Sequence, residues 1–110
     1  MGRYITTTGT ANVVIREVST TYTAVVSDRI LADSSGGAFT ITLPLNTGLL
    51  VGDQIQIIDV TGSFNTNNVT LARNGALISG AADDLTLDVN GVVLSLLYTG
   101  TTYGWVVTGA

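Results

Sequence analysis

Apolar and polar residues alternate along several short stretches of this chain. In "AFTITLP" the side chains of Phe39, Ile41 and Leu43 fall on one face of an extended backbone, and Thr40 and Thr42 fall on the other. The pattern recurs in "NVTLA", with Val69 and Leu71 inward, and in "LTLDV", with Leu85, Leu87 and Val89 inward. This alternation predicts half-buried antiparallel strands.

Two other stretches, "QIQIIDV" up to Val60 and "VVLSLLY" up to Tyr98, are apolar on both faces. They predict central strands that pack on the core and on a neighbouring molecule. Turn residues rich in Gly, Asn, Asp and Ser separate the strands about every ten residues. We therefore predict an all-β fold, a small antiparallel β-sandwich or barrel, without a repeat of solenoid period.

The clearest hairpin signal is "VNGV" at Val89 to Val92, because Asn-Gly tolerates the positive φ values of a two-residue type I′ turn. Asn74-Gly75 offers a second such turn. Residues 1–20 contain few large apolar side chains, so we predict an N-terminal extended arm or an edge strand there. Residues 21–110 form the β-sandwich or barrel domain.

The composition indicates a surface with few charged residues. The 110 residues are 45% hydrophobic and 11% charged, with a net charge of −4 and no cysteine. Ordinary soluble domains are about 25% charged, so we expect subunit contacts to cover part of this surface. No cluster of basic residues is present to bind nucleic acid, and no stretch is long enough to span a membrane or serve as a signal peptide.

The usual catalytic chemistry is missing from the sequence. No His, Cys or Lys occurs, which removes catalytic triads, the usual zinc sites and amine nucleophiles. Acidic residues remain (Asp59, Asp83, Asp84 and Asp88), but turn or loop roles are the better interpretation. We expect no enzyme, no cofactor and no metal, although a calcium site built from Asp59, Asn65, Asn67 and Asn68 stays open.

Aromatic residues near the end of the chain suggest one binding alternative. Tyr103 and Trp105 could stack on the pyranose rings of a glycan. Core or interface packing is the simpler interpretation of a lone Trp in a terminal strand.

Four segments carry a resemblance to a known kind of module: "YTAVVSDRILADSSGGAFTITLP", "GDQIQIIDVTGSFNTNNVTLARNG", "ISGAADDLTLDVNG" and "YTGTTYGWVV". Together they resemble a small β module of tailed-bacteriophage virion structural proteins, found in tail fibres, spikes and short cyanophage proteins. The match runs from about Tyr22 to Val107, and "MGRYITTTGT" resembles the start of such cyanophage proteins. No catalytic residue comes with the resemblance.

The resemblance implies a homotrimer located in the virion and made in the host cytoplasm. The chain starts with Met and carries no collagen-like repeat or coiled coil, so we expect a stand-alone capsid decoration, or cement, protein that binds the major capsid protein or other virion proteins. A neck or tail fibre component and a host-glycan-binding module are the alternatives. We expect Arg3, Tyr4 and Ile5 in the arm to contact the capsid or an adjoining subunit.

Overall fold

The computed structural model of the chain describes residues 13–109, and all regular secondary structure in this range is β-strand, which confirms the all-β prediction. No helix that could cross a membrane occurs between residues 13 and 109. The strands of this range are β1 (Val14–Val18), β2 (Tyr22–Thr23), β3 (Asp28–Ala32), β4 (Phe39–Thr42), β5 (Gln54–Asp59), β6 (Val69–Ala72), β7 (Leu85–Leu87), β8 (Val93–Tyr98) and β9 (Trp105–Gly109).

The strands form two sheets around one apolar core. The first sheet has the order β1-β3-β5-β8-β9, and the second has the order β2-β4-β6-β7. The alternating side chains that point inward from both sheets meet in the core, and Ile30, Ile57, Ile41 and Leu71 are completely buried there. Phe64 and Trp105 fill the core further. Burial of these side chains is the main favourable contribution to folding.

The chain alternates between the two sheets through its first six strands. β1, β3 and β5 pair in parallel in the first sheet, and β2, β4 and β6 pair in parallel in the second. The antiparallel pairs of these strands each include one of the last three strands: β5 with β8, β6 with β7, and β8 with β9. The first six strands thus wind as successive coils, and the predicted antiparallel sandwich is corrected to two mixed sheets.

Alternation of apolar and polar residues does not determine strand direction. A strand shows this alternation when one of its faces is buried and the other is not, whatever the direction of its neighbours. The winding also produces no sequence repeat of fixed period, because the successive coils differ in length. Val14 lies beside Asp28, 14 residues on, whereas Ile30 lies beside Ile57, 27 residues on.

Several strand predictions are confirmed residue by residue. Phe39, Ile41 and Leu43 are buried, as are Val69 and Leu71. β5 is the central strand of the first sheet and β8 is its neighbour, as the two-sided apolar stretches predict.

The predicted inward position of Val89 is wrong, because its side chain is 61% exposed in the turn after β7.

The predicted hairpin at Asn90-Gly91 is also wrong. β7 before this turn belongs to the second sheet and β8 after it to the first, so the turn carries the chain across the core. Gly91 has a φ of 74°, and Asn90 is not among the described residues with positive φ. Asn74 and Gly75 do adopt positive φ values of 51° and 93°, and the N–H of Ala76 closes their turn on the carbonyl of Arg73 at 3.2 Å.

Residues 14–18 form an edge strand, one of the two forms predicted for the start of the chain. β1 pairs with β3, and its only buried side chain is Val18. The alternative of an extended arm over residues 1–20 stays a prediction, because residues 1–12, with Arg3, Tyr4 and Ile5, lie outside the described residues.

Candidate interaction surfaces

The Asp59 carboxylate, one of the acidic residues considered for catalysis or calcium, organises two loops. It is buried at the end of β5, where Oδ1 accepts the N–H of Ser63 at 3.1 Å. Oδ2 accepts the N–H of Phe64 at 3.1 Å and that of Gly91 at 2.9 Å. Both carboxylate oxygens are therefore used by the backbone of the loops after β5 and before β8.

Hydrogen bonding sets the ionisation of this group. Burial by itself raises the pKa of the Asp59 carboxyl, but the N–H groups of Gly91, Ser63, Phe64 and Gly62 outweigh it and hold the pKa below its ordinary value. The carboxylate is thus held in its ionised form for a structural reason.

Two of the three amides proposed as calcium ligands with Asp59 bind the backbone. Asn65 Nδ2 donates to the carbonyl of Asp88 at 3.2 Å, and Asn67 Nδ2 donates to that of Ser34 at 2.8 Å. Among residues 13–109, no three His, Cys, Asp or Glu side chains lie close enough to hold a metal ion. The arrangement favours the Asx-rich turn over the calcium site.

The remaining acidic candidates lie apart. Asp84 Oδ1 accepts the N–H of Arg73 at 3.0 Å in the loop before β7, whereas exposed Asp88 follows β7. Asp84 thus lies at the end of the molecule where β4 and β6 finish. Asp59 lies at the other end, where β5 finishes. Asp59 and Asp84 are therefore too far apart to act as a pair.

A recess of about 270 Å³ opens near the starts of β3 and β5, and Asp28, Arg29 and Asp53 contribute to its lining. Asp28 Oδ2 accepts the Tyr22 hydroxyl at 2.7 Å and the N–H of Val25 at 2.8 Å. Asp53 Oδ2 accepts the N–H of Leu50 at 2.8 Å. Both acids therefore hold turns, as Asp59 does.

Asp28 at the start of β3 also forms an ion pair with the edge strand β1. Its Oδ1 lies 3.6 Å from Nε of Arg16 on the edge strand β1. Burial and the hydrogen bond to Asp28 raise the pKa of Tyr22 above its ordinary value of 10.0. The sequence alone does not identify Arg16 and Tyr22 as partners of Asp28, because the length of the intervening segments decides which strands meet.

The two aromatic residues proposed for glycan contact have different surroundings. Trp105 is fully buried and packs edge-on against Tyr98, with ring centroids 5.4 Å apart. Its ring therefore offers no face to a ligand, and this half of the prediction is corrected in favour of core packing. Tyr103 is 61% exposed, and its glycan contact stays a prediction.

The outer faces of the two sheets differ in chemistry. On the first sheet Leu31, Ile58 and Val93 are direct neighbours across three strands and form an apolar row. On the second sheet Thr40, Thr70 and Thr86 occupy the equivalent neighbouring positions and form a threonine row. These two rows thus differ: the row on the first sheet presents hydrocarbon, flanked by Glu17 on β1, and the row on the second sheet presents hydroxyl groups.

A polar row lies beside the apolar row on the first sheet. It consists of Arg29, Gln56 and Ser95, and Gln56 Nε2 donates to Ser95 Oγ at 3.0 Å. On its far side, Leu97 and Val106 are paired and half-buried. The outer face of the first sheet is thus mixed, with apolar side chains on both sides of a polar strip.

No protein-family model and no curated protein matches the chain.

Proposed function

We propose that the chain is a non-enzymatic structural protein of a bacteriophage virion, acting as a homotrimeric capsid decoration protein. The observation that carries the proposal is the contrast between the apolar row of the first sheet and the threonine row of the second. It supports a protein that works by surface burial. The motifs that resemble phage virion modules supply the virion setting and the trimer.

Surface burial is also the proposed mechanism. A decoration trimer that covers the junction between capsid subunits removes apolar surface from water, at roughly 25 cal/mol per Å². Many symmetric copies multiply this gain over the shell. Arg3, Tyr4 and Ile5 remain our proposed contacts to the capsid or an adjoining subunit, and a neck or tail fibre component is the alternative position.

The apolar row provides the test of subunit assembly. We expect Ile58→Asp to convert the trimer into monomers, because the row would place a carboxylate in each subunit contact without a partner. Ile58 points away from the core, so the fold should survive. Sedimentation equilibrium gives the molar mass of the wild type and the variant.

Thr70→Asp is the matched control, because Thr70 holds the central position of the threonine row on the other sheet. It should leave the trimer intact. A monomeric wild type would contradict the proposed trimer, and an Ile58→Asp trimer would remove the apolar row from the subunit interface.

A further inference from the structure

The topology places most exposed apolar side chains at one end of the molecule. β1, β3 and β5 start at this end, the loop between β8 and β9 closes it, and the chain leaves β4 and β6 there. Of the eleven large apolar side chains exposed among residues 13–109, seven belong to it: Val13, Val14, Val25, Leu45, Leu50, Val51 and Tyr103. We call this set the apolar end.

Leu50 and Val51 form its most prominent part, with 71% and 75% of their side chains exposed. An ordered turn holds them there. The N–H of Asp53 donates to the carbonyl of Leu50 at 3.0 Å, and Asp53 Oδ2 accepts the N–H of Leu50. The N–H of Gly52 donates to the carbonyl of Tyr98 at 2.9 Å, which ties the turn to the end of β8.

This turn is pre-organised, so docking would lose little conformational freedom at it. The neighbouring loop between β8 and β9 supports it, because Val51 lies against Gly100. Two large apolar side chains held in water by a hydrogen-bonded turn are a feature of contact sites.

The opposite end has another chemistry. Its loops contain Asp59, Asn65 and Asn67, whose side chains bind the backbone, and hydroxyl residues such as Thr61 and Ser63. Val60 and Val89 are exposed there, but they belong to separate turns on either side of the core. The two ends are therefore unequal as docking surfaces.

The charged residues at the apolar end include exposed Arg29 at the start of β3, but the acids Asp53, Asp83 and Asp84 outnumber the arginines there. Asp83 and Asp84 are exposed in the loop before β7. Two apolar ends that met face to face would bring these acids together, which disfavours a second copy of the chain. The guanidinium of Arg73 donates to the carbonyl of Ala76 at 3.0 Å within the same loop, and the chain has no lysine to attract an anionic membrane.

We propose that the apolar end binds a different protein of the virion, in an apolar depression bordered by basic residues. This inference rests on the proposed function and names the surface by which the chain attaches. A trimer whose axis runs along the strands presents three such ends on one side, so that weak contacts add up through multivalency.

The test compares a double variant with a single control variant in binding to virus particles grown without the gene for this chain. Leu50→Ser with Val51→Ser removes the prominent part of the apolar end. Val89→Ser removes an exposed valine at the opposite end, in the turn after β7, and serves as the control. Co-sedimentation with the particles measures the protein concentration at which half of the particle sites are occupied. Urea unfolding checks that both variants fold as the wild type does.

We expect the half-saturating concentration of the Leu50/Val51 variant to rise by at least about tenfold, since central apolar contacts dominate binding. The half-saturating concentration of the control should stay unchanged. Equal binding by both variants would overturn the apolar end as the attachment surface and leave the proposed function standing. A wild type that fails to bind particles would overturn the proposed function together with this inference.

Two further measurements test the choice of partner. Sedimentation velocity of the free protein should give the same assembly for the wild type and the Leu50/Val51 variant. A smaller assembly for the variant would mean that a second copy of the chain occupies the apolar end. Binding of the wild type to phosphatidylcholine vesicles, lost in the variant, would assign the apolar end to a membrane and overturn the proposal.

Discussion

Gly104→Ala should destabilise the protein by at least about 3 kcal/mol, a large fraction of the stability of a small domain. A Cβ atom at position 104 would lie 2.0 Å from the carbonyl oxygen of Leu77 and 2.6 Å from its carbonyl carbon. These are backbone atoms and cannot turn aside as a side chain can. The same carbonyl accepts the N–H of Trp105 at 2.8 Å, so a shift of Leu77 also disturbs the buried tryptophan.

Gly62→Ala is the matched control for this prediction. Gly62 has a φ of 66°, close to the 70° of Gly104, but a Cβ atom there would meet nothing within 4 Å. It should cost only the strain of a left-handed backbone, about 1 kcal/mol. Urea unfolding at one fixed protein concentration gives both values, and equal losses for the two variants would refute the close approach of Leu77 to Gly104.

Asp59→Asn should lower the free energy of unfolding at pH 7 by roughly 3 kcal/mol. The carboxylate accepts three backbone N–H groups, and an amide replaces one accepting oxygen with a donor. Buried N–H groups then lose their partners, at about 1–3 kcal/mol each. Asp88→Asn, at an exposed position after β7, should change the stability little.

The cost of Asp59→Asn should depend on pH. The pKa of Asp59 is lower in the folded protein than its ordinary value of 3.8, so the unfolded chain takes up the proton first. The contribution of the carboxylate is complete above pH 3.8 and declines as the pH falls through the folded pKa. Wild type and variant should therefore converge in stability below that value, and a constant difference down to pH 2 would contradict this role of Asp59.

The inward faces of the strands could be predicted from the sequence. Ile41, Leu43 and Leu71 are buried because each alternates with a residue that faces outward, and alternation is a local property. The role of Asp59 in an Asx-rich turn could also be predicted, because Ser63 and Phe64 follow it closely. Its bond to Gly91, 32 residues away, could not, because only the tertiary fold brings that loop near.

Strand direction and strand partners escaped prediction for a related reason. β4 and β6 alternate as antiparallel strands do, because their outer faces carry threonine, but they run parallel. The turn at Asn90-Gly91 fits a hairpin locally, yet burial of Leu87 and Leu94 places the strands on either side of it in opposite sheets. In both cases packing across the core decides between structures that the local sequence permits.

The candidate surfaces show the same limit. Two-sided apolar stretches predicted a neighbour for β5 and β8, and the apolar row of Leu31, Ile58 and Val93 is where we propose that this neighbour packs. The apolar end could not be predicted, because Val25, Leu50 and Tyr103 lie far apart in the sequence and only the winding of the strands brings their loops to one end.

Cryo-electron microscopy of the intact particle tests directly whether the chain covers and stabilises a virion shell as a trimer. We expect three-fold density for this chain on the capsid surface, with Leu50 and Val51 turned toward the shell. Density for the chain at the neck or tail would contradict the capsid position, and particles that lack the chain altogether would contradict the virion function itself.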